Sequence, residues 1–468
     1  MKISAELKEL SNIFDKNKKS LYIVGGYVRD SYLGIQSLIR DDIDLCSNVT
    51  PTQLKKMLNG TNFTVSPKNE KFGVMEIVGK RTYEYATFRR EIYENESHNP
   101  TSVEFINELE EDARRRDFRI NAIYYDIKNG SFIDPLGGLE DLKDRVITTV
   151  KVPKIVFNDD PERILRLVRF ACSLGLKIPE EEWFYAKQNA FKVHYMTKFR
   201  LKNEFEKLLT ADQIYPELLY TKDAHFRAMV LLGELGIWKE ILPAMEDIQK
   251  SEVRDKKGER IYEHVLNCIK NSSPKIRLAV LLHDSAKVKT IEEKRSMFGA
   301  KEFVNVIVEK NLGINGLGYP KNIVENVIRT ILGYDFNRLG LASKNTIKKF
   351  IFKNRPVIEN IIEIKTVVYN ESTGYGVKSK SAEKLRDVYN QMLKENTPFE
   401  LRDLRVNGDD IIKKFPHINI ENIDVLLDSL LEWTVLNPRK NNKKELLLVA
   451  TKMINSKRGF YLDEWFIL

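Results

Sequence analysis

The 468 residues exceed what one hydrophobic core supports and predict several domains; 42% hydrophobic and 31% charged residues fit a soluble globular chain. A net charge of +9 favours a polyanionic partner, since each phosphate met by a cation releases condensed counterions, but it names none. No stretch approaches the ~20 apolar residues of a membrane span. The three cysteines, Cys46, Cys172 and Cys268, are too dispersed for a disulfide scaffold or a zinc site, so a reducing cytoplasm is expected.

The opening Met1-Lys2-Ile3-Ser4-Ala5-Glu6 has no apolar run behind its first charge and predicts no signal peptide. Leu21 to Val24 predicts a strand, Gly25-Gly26 a turn, and a short helix follows from Val28. Asp42 to Leu45 predicts a second strand. Thr50-Pro51 supplies an N-cap and a first-turn proline for a helix through Met57. Phe72 to Val78 and Thr82 to Phe88 predict two strands paired around Gly79-Lys80, and Asn107 to Tyr125 a long charged helix. From about residue 155 the apolar spacing is helical: Arg163 to Leu174, Phe199 to Leu209, Ala224 to Leu235 and Glu259 to Asn271. The pattern is α+β, a small mixed-sheet head followed by an all-helical neck, body and tail, with boundaries at 1–150, 151–215, 216–380 and 381–468.

Chemistry gathers in the head. Paired glycines let a backbone approach a ligand, and the helix after them offers free N–H groups to an anion. Alone, the pair reads as a tight strand-to-helix turn. On a strand, Asp42 and Asp44 would share a face while Asp41 points away. Two adjacent carboxylates repel and are tolerable with divalent cations between them, although Asp-x-Asp alone is also an acidic loop. The two motifs in order, with a helix between, make the stronger signal.

GGYVRD followed by DDIDL resembles the head of the tRNA nucleotidyltransferase and bacterial poly(A) polymerase family, within the DNA polymerase β-like superfamily. The likeness continues through TFRRE at 87–91, EEDARRRDFRINAIYYD at 110–126, DPLGGLEDLKDRVI at 134–147 and NDDPERILRLVRFA at 158–171. It implies a polymerase-β-like head, Asp42 and Asp44 as ligands of Mg²⁺, and Gly25, Gly26 and Arg29 among the nucleotide-binding residues. Glu84 is a candidate third carboxylate or a solvent-facing strand residue. The likeness also places Arg116, Asp117 and Asn121 on a helix facing the head, at the sugar and triphosphate of a nucleotide. Arg119 stands where relatives carry threonine, and Arg114 to Arg116 are alternatively a solvated charge run.

In the neck, relatives carry Glu-Asp-x-x-Arg where this chain has Asp159-Asp160-Pro161-Glu162-Arg163, so the likeness makes Asp160 and Arg163 the readers of the incoming base. Arg166 and Arg169 belong to the same motif. A spacing of three would place Asp160 and Arg163 on one helix face. Cytosine and adenine both present an amino donor beside an acceptor nitrogen, which an Asp acceptor and an Arg donor satisfy; uracil and guanine present a carbonyl that a carboxylate repels. An ordinary surface ion pair is the bland alternative. Arg200, Lys202 and Glu204 resemble the closing neck motif, with Phe199 where an acidic residue is usual, and suit a structural role.

In the body, Tyr262-Glu263-His264 and Leu281-Leu282-His283-Asp284 resemble a degenerate HD domain: His264, His283 and Asp284 are present, but Val367-Val368 stands where relatives carry the last aspartate. The implied function is template-independent addition of CCA to the 3′ end of tRNA from CTP and ATP. Poly(A) addition, or a partial CC-only or A-only activity, is the alternative, because Glu96-Ser97-His98-Asn99-Pro100 departs from the family's basic loop. The tail would grip tRNA phosphates; no membrane partner is expected, and oligomeric state stays open.

Overall fold

The computed structural model describes residues 1, 3–35, 42–92, 101–255, 257–293, 300–334, 342–374 and 378–455. Arg40, Asp41 and the loop at 96–100 lie outside the described residues. The head runs α1 (Ala5–Lys16), β1 (Tyr22–Val24), α2 (Gly26–Leu33), β2 (Asp44–Ser47), α3 (Pro51–Leu58), β3 (Thr64–Asn69), β4 (Val74–Val78) and β5 (Thr82–Thr87). It continues through β6 (Arg89–Ile92), β7 (Ser102–Phe105), α4 (Leu109–Arg114), β8 (Tyr124–Asp126), β9 (Ser131–Ile133) and α5 (Gly138–Asp144).

Seven strands form one mixed sheet in the order β3-β4-β5-β2-β1-β8-β9, while β6 and β7 pair separately. Only β2 and β5 run parallel; every other neighbouring pair is antiparallel. Ile23 and Val24 are buried at the centre of the sheet, as a short apolar run demands when a strand has neighbours on both sides. The expected capping of α3 is present: the Thr50 hydroxyl accepts from Gln53 N while the Gln53 side chain accepts from Thr50 N, with Pro51 in the first turn.

Strands β3, β6, β7 and β9 have no counterpart among the predicted elements, α2 begins at Gly26 rather than Val28, and two further differences move candidate site residues. β2 begins at Asp44 rather than Asp42, because its ladder with β1 starts at the Val24–Asp44 pair. Beyond Val24 the chain turns away through Gly25 at φ +82°, so Asp42 has no ladder partner on that side. The long helix expected over 107–125 breaks after Arg114. Asp117 Oδ1 accepts from Phe118 N (2.8 Å) and Asn121 Nδ2 (3.1 Å), offering the backbone a local alternative to helix. Phe118 is extended and bridges Thr149. Tyr124 and Tyr125, aromatic and buried on both faces, then join the sheet as β8. Asp117 therefore precedes, and Asn121 ends, a single 3-10 turn (Arg119–Asn121) in place of the long helix.

After the head come α6 (Pro153–Asp159), α7 (Glu162–Ser173), α8 (Glu180–Asn189), α9 (Lys198–Leu209) and α10 (Ala224–Glu234); the apolar spacing predicted α7, α9 and α10 individually, and α6 and α8 only as part of a helical region. Val156 of α6 enters a cluster with Val24, Cys46, Phe88, Ala113, Ala122, Tyr124 and Val150. At roughly 1.5–3 kcal/mol for each large apolar side chain buried, this cluster binds the helical segment to the sheet. The chain folds as two units, Met1–Ser251 with Glu309–Tyr319, and Glu252–Val308 with Pro320–Leu468. The second is helical among its described residues, with apolar clusters around Ile351 and Ile361 and around Leu426 and Leu430. No helix among the described residues is long and apolar enough to cross a membrane.

Glu182 in the first turn of α8 fastens this packing: its Oε1 accepts from Thr149 N (2.9 Å) and Thr149 Oγ1 (3.1 Å). Its Oε2 is buried without a hydrogen-bond partner, and burial pushes the carboxyl up to about 7 from the ordinary 4.5. A raised folded-state pKa means the stabilisation is complete below about pH 4.5 and is lost as pH rises through 7. Glu182→Gln should therefore be more stable than the wild type by about 2 kcal/mol at pH 8, with the gain vanishing near pH 5. Urea unfolding at the two pH values measures this; an equal effect at both would refute it.

Candidate active site

The carboxylate of Asp44 opens β2 and lies against the turn that closes β1. A Cβ added at Gly25 would sit 3.4 Å from Asp44 Oδ2, and the Gly25 backbone at φ +82°, ψ −146° is a conformation essentially reserved for glycine. Across the sheet Asp44 is in register with Glu84 of β5, and Glu84 with Glu76 of β4, so three carboxylates fall in one row. Glu84 is half exposed and bonds Lys68 Nζ at 2.5 Å, the surroundings of a solvent-facing pair. Asp42 is exposed and precedes the strand. Oxygen-only donors with an open side suit a hard divalent ion that keeps waters and takes substrate phosphates as ligands.

Behind Gly25 a buried network joins the remaining head candidates. Arg29 is buried: its Nε donates to Asp30 Oδ1 (2.8 Å), Nη1 to Asn121 Oδ1 (2.6 Å) and Nη2 to Tyr215 OH (2.6 Å). Tyr215 OH donates in turn to Asp30 Oδ2 at 2.8 Å. Asn121 passes the chain to Asp117, whose Oδ2 accepts from Arg166 Nε at 2.7 Å. Burial alone would raise the Asp117 pKa, but Arg166 and its other donors hold it down to about 2. Arg29, Arg166 and Arg169 surround the Phe170 ring at 5.1, 5.3 and 4.2 Å. Arg29 is thus tied to Asn121 in the interior rather than presented on an exposed surface. Phe170 stands inside the motif at 158–171, whereas Tyr215 carries no sequence signal that separates it from an ordinary core aromatic.

A second anchor was missed although its residues stand inside a recognised motif. Asp112 is fully buried: it accepts from Arg115 Nε (2.7 Å), Arg116 Nη2 (3.2 Å), Tyr124 OH (2.8 Å) and Arg89 N (3.2 Å). Burial opposes its charge, yet Arg115 and Arg116 bring its pKa down to about 2. Of the three-arginine run, Arg115 and Arg116 are spent here, while the half-exposed Arg114 pairs with Glu110. Spacings of three and four from Asp112 were the available clue.

On α7 the arginines fall every three residues, and each pins a different piece. Arg163 Nη2 donates to Arg115 O at 2.9 Å, Arg166 holds Asp117, and Arg169 Nε donates to Glu204 Oε2 on α9 at 2.8 Å. Asp160 is not on α7. It caps the end of α6 in an extended conformation, φ −146°, ψ 105°, because Pro161 disfavours helix at the preceding residue. The expected shared helix face does not form. Asp160 pairs with Arg200 of α9 at 2.8 Å, and Arg200 also bonds Glu162. Arg163 uses two of its donors on carbonyls, the second a 3.5 Å contact to Val156 O, and a guanidinium carries five. It also lines a polar cleft with Arg90, Glu91, Glu111, Arg115 and Lys151.

In the second unit, the helix Ile261–Lys270 and the segment after Arg277–Leu282 bring His264, His283 and Asp284 together. Asp284 Oδ2 lies 4.0 Å from His264 Nε2 and 3.6 Å from His283 Nε2. Cys268, one turn beyond His264, puts its Sγ 3.7 Å from His264 Nε2. The wide cysteine spacing in the sequence hid this neighbour.

Residues 21–148 match the family model described as the poly A polymerase head domain. The chain is 35% identical over 210 residues to a CCA-adding enzyme of Ligilactobacillus salivarius, covering 44% of this chain and 50% of that one. It is 37% identical over 189 residues to a CCA-adding enzyme of Bacillus subtilis, covering 40% and 46%. It thus spans about half the length of the curated relatives it matches. The likeness to solved structures runs further. The Bacillus stearothermophilus CCA-adding enzyme in complex with CTP aligns at TM-score 0.64 and 23% identity, over 96% of this chain and 98% of that one. The Thermotoga maritima CCA-adding enzyme complexed with tRNA aligns at 0.57 and 20% identity, over 96% of each. These structural likenesses establish the fold.

Proposed function

We propose that the protein adds CCA to the 3′ end of tRNA, using CTP twice and ATP once and releasing pyrophosphate, starting from the match of residues 21–148 to the poly A polymerase head-domain model. The observation that carries the reading is a continuous path of contacts from the Asp44 carboxylate to the neck. Asp44 abuts Gly25; Gly25 O accepts from Arg29 N; Arg29 bonds Asn121; Asn121 bonds Asp117; Asp117 bonds Arg166 on the helix that also carries Arg163. Chemistry at the sheet and selection at the neck are thereby held in one frame. Curated relatives named for CCA addition, and neighbours solved with CTP and with tRNA, support the same reading.

In this scheme residues 1–150 act as catalytic head, 151–215 as base-selecting neck, 216–380 as body and 381–468 as tail gripping tRNA, in the cytoplasm. Asp42 and Asp44 are the residues that would hold Mg²⁺, which when bound activates the primer hydroxyl and neutralises the departing pyrophosphate. Glu84, if it serves as a third carboxylate, must exchange Lys68 for the ion. Gly25 and Gly26 admit the triphosphate close to the backbone, and Asn121 and Asp117 shape the sugar site. Arg116, held by Asp112, and Arg169, held by Glu204, fix the walls rather than the substrate. Asp160 and Arg163 would offer the base what capacity remains beyond Arg200 and Glu162 N on the carboxylate, and beyond Arg115 O, Val156 O and Glu91 on the guanidinium.

Incubating the protein with tRNA lacking CCA and with each NTP tests the whole reading. Addition should stop after CCA; long A tracts on any RNA primer would favour a poly(A) polymerase, and no addition would refute both. Asp160 and Arg163 carry a sharper expectation. Each good polar pairing to a base edge is worth about 1–3 kcal/mol, so Asp160→Ala or Arg163→Ala should cut the preference for C over U and A over G about tenfold or more. A surface ion pair worth about 0–1 kcal/mol would leave those ratios at wild type in single-nucleotide incorporation kinetics.

A further inference from the structure

We propose that His264, Cys268, His283 and Asp284 form a closed four-ligand site for a transition-metal ion of the zinc class, with Cys268 in the place of the carboxylate that the Val367-Val368 position lacks. Among the described residues, His264, Cys268 and His283 form the one His/Cys/Asp/Glu triad whose ligand atoms all lie within 4.8 Å of one another, and all three are buried. Asp284 Oδ2 adds a fourth donor 3.6 Å from His283 Nε2 and 4.0 Å from His264 Nε2. An ion about 2.0–2.1 Å from nitrogen and about 2.3 Å from sulfur in tetrahedral geometry separates its ligand atoms by roughly 3.3–3.7 Å. The observed 3.6, 3.7 and 4.0 Å edges are close to these values, while Asp284 stands outside the 4.8 Å group and its carboxylate would have to turn toward Cys268 to close the fourth position.

A second observation points to a ligand independently. His283 Nε2 is buried with no hydrogen-bond partner, and the whole residue is 4% exposed. Its other nitrogen, Nδ1, contacts Val280 O at 2.7 Å, so the proton sits there and the Nε2 lone pair is aimed at Asp284. A carboxylate next to a lone pair is repulsive; Lys287 Nζ, 3.7 Å from Asp284 Oδ2, offsets part of this from one side, and an ion between Asp284 and His283 would remove the rest. A backbone carbonyl holding the far ring nitrogen is the usual way in which a ligating histidine is fixed, and the Tyr334 ring, edge-on to His283 at 5.6 Å, holds its plane. Imidazole, thiolate and carboxylate together select zinc-like ions over Mg²⁺. With four protein ligands and burial, no position stays open for a hydrolytic water, so the ion is structural.

Cobalt titration of the full chain decides the matter. The wild type should take up stoichiometric Co²⁺ with intense tetrahedral d–d bands and a near-ultraviolet thiolate-to-cobalt charge-transfer band. Cys268→Ser should lose the charge-transfer band and bind more than about 100-fold more weakly. Cys46→Ser and Cys172→Ser should keep the band, and Zn²⁺ added to the chelator-treated wild type should raise its Tm. A wild type without tetrahedral Co²⁺ bands, or a band that persists in Cys268→Ser, overturns the site. Ni²⁺- or Mn²⁺-dependent hydrolysis of 2′,3′-cyclic nucleotides that disappears in His283→Ala overturns the closed geometry.

Discussion

Asp44→Asn and Asp42→Asn should each lower nucleotide addition by about 10²–10³-fold or more, for every NTP alike, while fold and tRNA binding persist. Losing one preorganised partner of the developing charge costs several kcal/mol of transition-state stabilisation. Asparagine keeps the size of aspartate, and Asp42 is exposed, so stability should change by no more than about 0.5 kcal/mol. Single-turnover incorporation at saturating nucleotide, with Tm measured alongside, tests this, and normal turnover in either variant would remove the catalytic assignment. Glu84→Gln measures the third carboxylate separately. A solvent-facing partner of Lys68 predicts near-normal rates, whereas a metal ligand predicts a loss of the same order as Asp44→Asn.

Asp112→Ala should cost about 3–5 kcal/mol of stability, the largest single loss expected outside the apolar core. Its carboxylate is the shared partner of Arg115, Arg116 and the Tyr124 hydroxyl, and removing it leaves two mostly buried guanidinium groups without their main counter-charge. The loss should depend on acid in a defined window. Asp112, Asp117 and Glu204 all fall to about 2 in the folded chain from ordinary values of 3.8 and 4.5. A depressed folded pKa gives stability that is present above about pH 4.5 and is lost as pH falls through 2. The gap between Asp112→Ala and the wild type should therefore narrow on acidification from pH 5 towards 2 in urea unfolding. A gap independent of pH would mean that the residue acts by packing alone.

Taken by itself, the amino-acid order determined the features that depend on near neighbours. The α+β division, the Thr50 cap, the strands on either side of Gly79-Lys80 and the neck helices follow from periodicity and local chemistry, and the glycine pair and paired aspartates could be read as a motif. What the tertiary structure decided depends on partners far away in the chain. Arg29 stands in the sequence only as one of the residues that the likeness makes nucleotide-binding; that Tyr215, 186 residues later, takes one of its nitrogens is visible only in the fold. Asp160 and Arg163 read as one helix face until Pro161 breaks the backbone between them and Arg200, from another helix, captures the carboxylate. The predicted helix through Asp117 gives way because the sheet's demand for Tyr124 and Tyr125 outweighs a weak local preference. Cys268 lay one helical turn from His264 and was legible in principle, yet only the fold brings His283 and Asp284 to it. Periodicity reports which face of an element is apolar; it carries no information about which charged side chains the packing of those faces will force together.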